Sequence, residues 1–227
     1  MRLPKTVAAL VAAIGAVPAA AADEDLAVWN AQFVKFHADK DDKIFVRLES
    51  QQRITGDVSR LGQFIIRPYV AYQVDDNLQI GGGYAYFRSE SGAVESGFIF
   101  EHRAYAEVNY RVLDRPRLKI DTRTRLETRQ WENIPDHSIR ARSMVQATIP
   151  VSQSGVGVVF FTEPFVNLND NPNFPGGFEQ IRNFGGFVIP VNKNIDFMTG
   201  YMNLYQPREG RDDRMSHVIW LKTFVKF

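Results

Sequence analysis

The chain has 227 residues, of which 27 are lysine or arginine and 26 are aspartate or glutamate, so its formal net charge at pH 7 is +1. It contains no cysteine, which excludes disulfides, thiolate metal ligands and cysteine nucleophiles. The nearly neutral balance of charge gives no reason to expect nucleic acid as a partner.

The first 22 residues have the pattern of a secretory signal peptide. Arg2 and Lys5 precede an apolar stretch that ends in the alanine run Ala19 to Ala22, and an acidic segment follows. The apolar stretch is too short to span a bilayer, so we expect export with cleavage near Ala22. No later segment offers the run of about 18 apolar residues that a transmembrane helix needs. If the mature chain enters a membrane, it must do so as strands.

From residue 43 onward the sequence repeats a strand-like stretch followed by a turn, which is typical of an up-and-down barrel. We predict strands at 43–54, 62–74, 78–88, 97–111, 117–131, 138–150, 156–167, 178–190, 195–206 and 214–227. Short and longer connections alternate, as they do in outer-membrane barrels. The predicted fold class is all-β, an antiparallel up-and-down transmembrane β-barrel with about ten strands and with twelve as the alternative.

The stretch 26–37 is apolar and aromatic, and it fits either an eleventh strand or a segment packed at the barrel end. Outer-membrane barrels of one chain have an even number of strands when both chain ends lie on the same side. We therefore divide the chain into a signal peptide, 1–22, an N-terminal segment that leads into the barrel, 23–42, and the barrel itself, 43–227.

The stretch 117–129 predicts how the strands face. Its charged residues all occupy odd positions, while threonine and aliphatic residues occupy the even ones. Side chains of a strand point alternately to opposite faces, so one face is charged and the other is mildly apolar. A helix of this sequence would spread the charges around its whole circumference.

In a barrel, the charged faces of neighbouring strands form one inner wall with an excess of basic residues. The predicted lumen-lining residues are Glu101, Arg103, Glu107, Lys119, Asp121, Arg123, Arg125, Glu127, Arg129, Arg140, Arg142 and Glu163. Two interpretations of this wall stay open. Interlocking Arg and Glu side chains can simply fill the interior of a small barrel, or the arginines can attract anions into a narrow path or pocket.

Other chemistry has little support in the sequence. His102 has the parity of the outward face, opposite Glu101 and Arg103, and no nucleophile motif surrounds any serine. The four histidines lack metal-ligand spacing. We therefore predict no catalytic residue, no metal and no cofactor.

Several motifs, in matching order and spacing, extend over nearly the whole mature chain. They include Leu48-Glu49-Ser50-Gln51-Gln52-Arg53, Glu101-His102-Arg103, the run Thr122 to Arg129, Arg140-Ala141-Arg142, Glu163-Pro164-Phe165-Val166-Asn167 and Gln180-Ile181-Arg182-Asn183. On these motifs the chain resembles the bacterial outer-membrane barrels of domain-of-unknown-function family 2490. The resemblance implies location and fold, and it carries no activity over to this chain.

The sequence thus predicts a barrel in the outer membrane of a Gram-negative bacterium. Its expected partners are outer-membrane lipid, the barrel-assembly machinery through the C-terminal aromatic Phe227, and a small anionic solute that enters an arginine-rich lumen. Three alternatives stay open: a structural or adhesive barrel that acts through its extracellular loops, a lipid-modifying outer-membrane enzyme that uses His102, and a soluble periplasmic β-barrel of lipocalin type.

Overall fold

The computed structural model describes residues 22–91, 97–132, 134–171, 174–210 and 212–227. These residues form eleven strands that close into one barrel. The strands are β1 (Ala22–His37), β2 (Ile44–Thr55), β3 (Arg60–Gln73), β4 (Leu78–Glu90), β5 (Phe98–Arg115), β6 (Leu118–Trp131), β7 (Ile134–Pro150), β8 (Gly157–Asn167), β9 (Gly177–Pro190), β10 (Ile195–Gln206) and β11 (Asp213–Lys226). The predicted fold class is confirmed, and the strand count is eleven instead of ten or twelve.

The prediction that failed is the assignment of 23–42 as a segment outside the barrel. Residues 22–37 form β1, which pairs antiparallel with β2 and parallel with β11. Trp29, for example, lies between Arg53 on one side and Trp220 on the other. The parity argument assumed antiparallel closure, and the parallel β1–β11 seam removes the need for an even number of strands. The predicted signal peptide lies outside the described residues except for Ala22, which begins β1.

The parallel seam also determines where the chain ends lie. Odd-numbered strands all end at one edge of the barrel, which we call the turn rim, and even-numbered strands end at the other, the loop rim. Residue 22 therefore lies at the loop rim, whereas Phe227 lies at the turn rim.

Burial follows the alternation of the sequence. On β6 the side chains of Arg125 and Glu127 lie in the interior with 1% exposure each, while Leu126 between them is 48% exposed. The outward face carries large apolar side chains on many strands, among them Val70 at 53% and Phe187 at 50% exposure. Among the described residues, no helix is long and apolar enough to cross a membrane.

Two apolar clusters occupy parts of the interior. In the first, Trp29 and Trp220 meet edge to face with ring centroids 5.3 Å apart, and Phe161 stacks on Phe184 at 4.9 Å. Such aromatic pairs contribute about 0.5–1.5 kcal/mol beyond the area that they bury. The first cluster therefore gives the β8–β11 side of the barrel a rigid aromatic lining.

The second cluster depends on close approach of aromatic rings to glycines. Tyr69 and Tyr105 stack with centroids 5.9 Å apart, and their rings cover Gly81 and Gly83 on β4. A Cβ atom on Gly83 would lie 2.5 Å from the Pro68 carbonyl oxygen and 2.5 Å from the Tyr105 hydroxyl oxygen. Only glycine fits at these two inward positions, which explains Gly81 and Gly83 of this strand.

Candidate functional site

An ion-pair network fills the interior along β5, β6 and β7. At its centre, Arg125 donates from Nε to Glu107 Oε2 at 2.7 Å, and its Nη1 lies 3.5 Å from Glu127 Oε1. Glu107 is 2% exposed, so both partners are removed from water. Arg125 on β6 is paired directly with Glu107 on the neighbouring antiparallel strand β5.

Glu127 is the carboxylate with the most arginine partners. Arg140 Nη2 donates to its Oε2 at 2.6 Å, and Arg142 Nη2 lies 3.0 Å from its Oε1. Arg103 Nη1 lies 3.6 Å from Oε2 as well. Several arginines thus share one acid, which holds the side chains of three strands in fixed positions.

Towards the loop rim, the network crosses to a strand that is not a neighbour in the sheet. Glu101 accepts from Arg103 Nε at 2.7 Å and from Arg129 Nε at 2.6 Å. Glu179 on β9 accepts from Arg129 Nη1 at 2.8 Å and from Arg140 Nη1 at 2.7 Å. Because β8 lies between β7 and β9, these last bonds must run through the barrel interior.

Sequence reasoning missed Glu179 for a specific reason. Glu179 lies at an odd position of β9, like Ile181 and Asn183, whose side chains face outward. Strict alternation therefore predicts that Glu179 faces outward too. A register shift between Phe165 and Val166 of β8 skips Glu179 in the pairing, so that its side chain turns inward. A β-bulge reverses facing in this way, and the sequence carries no signal for it.

The structure separates the predicted lumen residues into three groups. Those buried within the network are Glu101, Arg103, Glu107, Arg125, Glu127, Arg129 and Arg140. Arg123, Arg142 and Glu163 border a cavity, described next. Lys119 and Asp121 lie at the turn rim, where they pair with Asp114 at 3.3 Å and with Arg111 at 2.9 Å. Contact of any of these residues with a solute stays a prediction.

The cavity of about 370 Å³ that extends inward from the turn rim has strongly unequal charge. Its acidic lining residues are Glu49 and Glu163. Its basic lining residues are Lys35, Arg47, Arg53, Arg67, Arg123, Arg142, Arg182, Lys222 and Lys226. We call this space the cationic cavity. Most of its basic residues come from β1, β2, β3, β9 and β11, on strands for which the sequence analysis assigned no lining residue.

A second cavity, of about 310 Å³, extends inward from the loop rim. Both cavities are bordered by Arg53 and Arg182. Both guanidinium groups contact Trp29, whose ring centroid lies 3.6 Å from Arg53 Cζ and 5.2 Å from Arg182 Cζ. Arg53 and Arg182 thus form a boundary that the two cavities share, and with Trp29 we call it the Arg53–Trp29–Arg182 partition.

His102 lies on the outward face near the loop rim, as its parity predicted. Its Nδ1 contacts the Tyr84 hydroxyl, and its Nε2 lies 3.1 Å from Glu132 Oε1. An acid that orients a histidine is one part of an acid–base site, but a nucleophilic serine is not among the described partners of His102. In the described ranges, no group of three His, Cys, Asp or Glu side chains could hold a metal ion.

Comparison with known proteins agrees with this architecture. The barrel is similar to the NanC porin, with a TM-score of 0.50 and 14% identity over 84% of this chain and 93% of that chain. It is also similar to a bacterial polysaccharide outer membrane secretin, with a TM-score of 0.45 and 14% identity over 78% of this chain and 72% of that chain. At such low identity, the likeness to the porin shows the fold alone.

Sequence comparison gives the family. An uncharacterised protein of Methylorubrum extorquens is 31% identical over 182 residues, which cover 79% of each chain. Residues 26–215 match the family model described as protein of unknown function, DUF2490. The match begins within β1 and ends three residues into β11, so it covers β2 to β10 in full and leaves most of β11, with Trp220 and Lys222, beyond its end. The chain therefore belongs to the DUF2490 family.

Proposed function

We propose that this protein is a bacterial outer-membrane barrel that takes small anionic solutes into the cationic cavity. The outward face supports a membrane location because its large apolar side chains, including Leu48 at 46% exposure, would otherwise contact water. The twelve residues of β2 span roughly 40 Å, or roughly 30 Å along the axis of a barrel whose strands tilt by about 40°. A hydrocarbon core is also about 30 Å thick.

The observation that carries the solute class is the charge of the cationic cavity. The buried network on β5 to β7 neutralises most of its own arginines with Glu101, Glu107 and Glu127. In the cavity, by contrast, two carboxylates face a much larger set of basic side chains. In a space screened from bulk water, an unbalanced set of cations favours entry of anions.

The position of the ion-pair network relative to the cationic cavity also limits the width of the route that a solute can take. The ion-pair network fills one half of the barrel, so a solute can move only along the other half. There the Arg53–Trp29–Arg182 partition narrows the route between the two rims. We therefore propose a narrow, anion-selective passage that excludes large solutes.

The test is the reversal potential of the refolded protein in a planar bilayer under a KCl gradient. We expect anion-selective current steps, and we expect Arg47→Gln with Arg53→Gln to move the reversal potential toward zero. The control is Arg115→Gln with Lys193→Gln, which removes two basic residues from outside both cavities. Cation-selective current, or equal selectivity in both double variants, would contradict the proposal.

Lipid modification is the second candidate, and one observation favours it. Glu132 and Tyr84 both contact His102 on the outward face, where lipid would lie. His102→Ala should abolish turnover of phospholipid in vesicles if this candidate is right. Unchanged lipid composition after incubation with the wild-type protein would exclude it.

A further inference from the structure

Lys222 is buried in the cationic cavity without an ion pair to any described residue. The side chain is 8% exposed, and its Nζ lies 3.5 Å from the centroid of the Trp220 ring. The ring centroids of Phe161 and Phe184 each lie 5.1 Å from the same Nζ atom. An ammonium group enclosed by three aromatic rings is unusual because lysine normally keeps its charged end in water.

The carboxylates near Lys222 are already engaged with arginines. Glu163 accepts from Arg123 at 2.7 Å and lies 3.3 Å from Arg142 Nη1. Glu49 accepts from Arg67 at 2.6 Å. The stabilisation that a cation gains from contact with aromatic faces is smaller than the free-energy penalty for burying it. The rings alone therefore do not offset the burial of this charge.

The surfaces beside Lys222 are apolar. Phe161, Met198 and Phe224 line the same cavity, as does Trp220. The Trp220 Nε1–H has no acceptor among the described protein atoms, although Trp220 is only 9% exposed. Next to Lys222, the cavity thus combines a cation with apolar side chains that cannot hydrogen-bond to a hydrated ion.

We propose that Lys222 marks a binding site for a small monocarboxylate with an apolar or aromatic body. The carboxylate pairs with Lys222, and the apolar body packs against Phe161 and Met198. About 370 Å³ falls within the range of ordinary small-molecule sites, which are mostly apolar with a few polar groups that fix orientation. This inference rests on the proposed function, because it names the class of anion that the cationic cavity accepts.

The probes are benzoate, acetate and benzyl alcohol, each added to the refolded protein in detergent. Binding is followed by calorimetry and by the fluorescence of the tryptophans, one of which is Trp220. We expect benzoate to bind at least tenfold more tightly than acetate, which lacks the ring, and than benzyl alcohol, which lacks the charge. Equal binding of benzoate and acetate, or of benzoate and benzyl alcohol, would overturn the inference.

Lys222→Met keeps an unbranched apolar side chain against the rings, one atom shorter than lysine, while it removes the charge. We expect it to weaken benzoate binding at least tenfold, whereas Lys193→Met, in an exposed turn, should leave it unchanged. Phe161→Leu is a second variant in case Lys222→Met does not fold, and it should weaken benzoate binding without affecting acetate. Undiminished benzoate binding in both variants would overturn the site assignment.

The two proposals fail in different ways. If anion-selective current persists but benzoate binds no better than acetate, the cationic cavity passes anions without selecting their body, and only this inference is lost. If the inserted barrel passes no anion and binds none of the probes, the proposed function is lost as well.

Discussion

Replacement of Arg125 by glutamine should destabilise the barrel more than loss of any single rim charge. Arg125 is 1% exposed, donates to Glu107 and packs its guanidinium 4.0 Å from the centre of the Tyr105 ring. Without it, Glu107 keeps a hydrogen bond from Asn109 Nδ2 at 3.0 Å and the more distant cations Arg47 at 3.5 Å and Arg123 at 3.9 Å. Loss of one partner from a buried ion pair costs about 3–5 kcal/mol because the other charge stays desolvated.

The assay is urea-induced unfolding of the protein in lipid vesicles, followed by tryptophan fluorescence. The control is Arg111→Gln, because Arg111 is 39% exposed on its side chain and pairs at the turn rim, where such a pair contributes up to about 1 kcal/mol. Arg125→Gln combined with Glu107→Gln should recover part of the lost stability, since the buried carboxylate that lost its closest partner is then neutral as well. If Arg125→Gln costs no more than Arg111→Gln, the network is not desolvated and the reasoning is refuted.

Three further predictions follow from packing, salt and the seam. Gly83→Ala should lower the free energy of unfolding by about 1–3 kcal/mol through overpacking against Tyr105, whereas Gly82→Ala, whose nearest contact is 3.2 Å, should cost less; equal urea midpoints would contradict this. Raising salt from 0.1 to 1 M should reduce anion selectivity, because the screening length falls from about 10 to about 3 Å; a constant permeability ratio would argue against charge-based selection. Asp25→Asn, which removes the partner 3.1 Å from Arg214, should speed opening of the β1–β11 seam in hydrogen exchange; unchanged exchange of β1 amides would disagree.

The strands could be predicted from the sequence because facing in a strand is a local property. The charge alternation of 117–129 identified β6, which spans Leu118–Trp131, and the side that it buries. Alternation alone could not tell that Arg125 would be sealed inside while Lys119 would lie at the rim, because depth along the barrel depends on tilt and register. The acids of β5 and β6 therefore neutralise the wall that the sequence presented as the basic lumen.

The cationic cavity could not be predicted, because its members come from distant strands. Lys222 lies two residues after Trp220 near the end of β11, and Arg53 ends the motif of β2. Both residues line the cationic cavity because β1 lies between β11 and β2 in the barrel. The parity argument had left β1 out of the barrel. The pairing of β1 with β11 therefore creates the cationic cavity, and a single sequence carries little information about pairing between strands so far apart.

The parallel seam has a consequence for how the protein folds. Asp25 and Arg214, which bridge the seam, are 189 positions apart, so their strands can pair only after nearly all of the chain is in place. Closure of a loop of that length costs roughly 5 kcal/mol of chain entropy. Until β1 docks, β2 and β11 both present unpaired edges that could recruit a second chain. Assembly should therefore be slow at its last step, and a cell that makes this barrel must protect the open sheet until its first strand arrives.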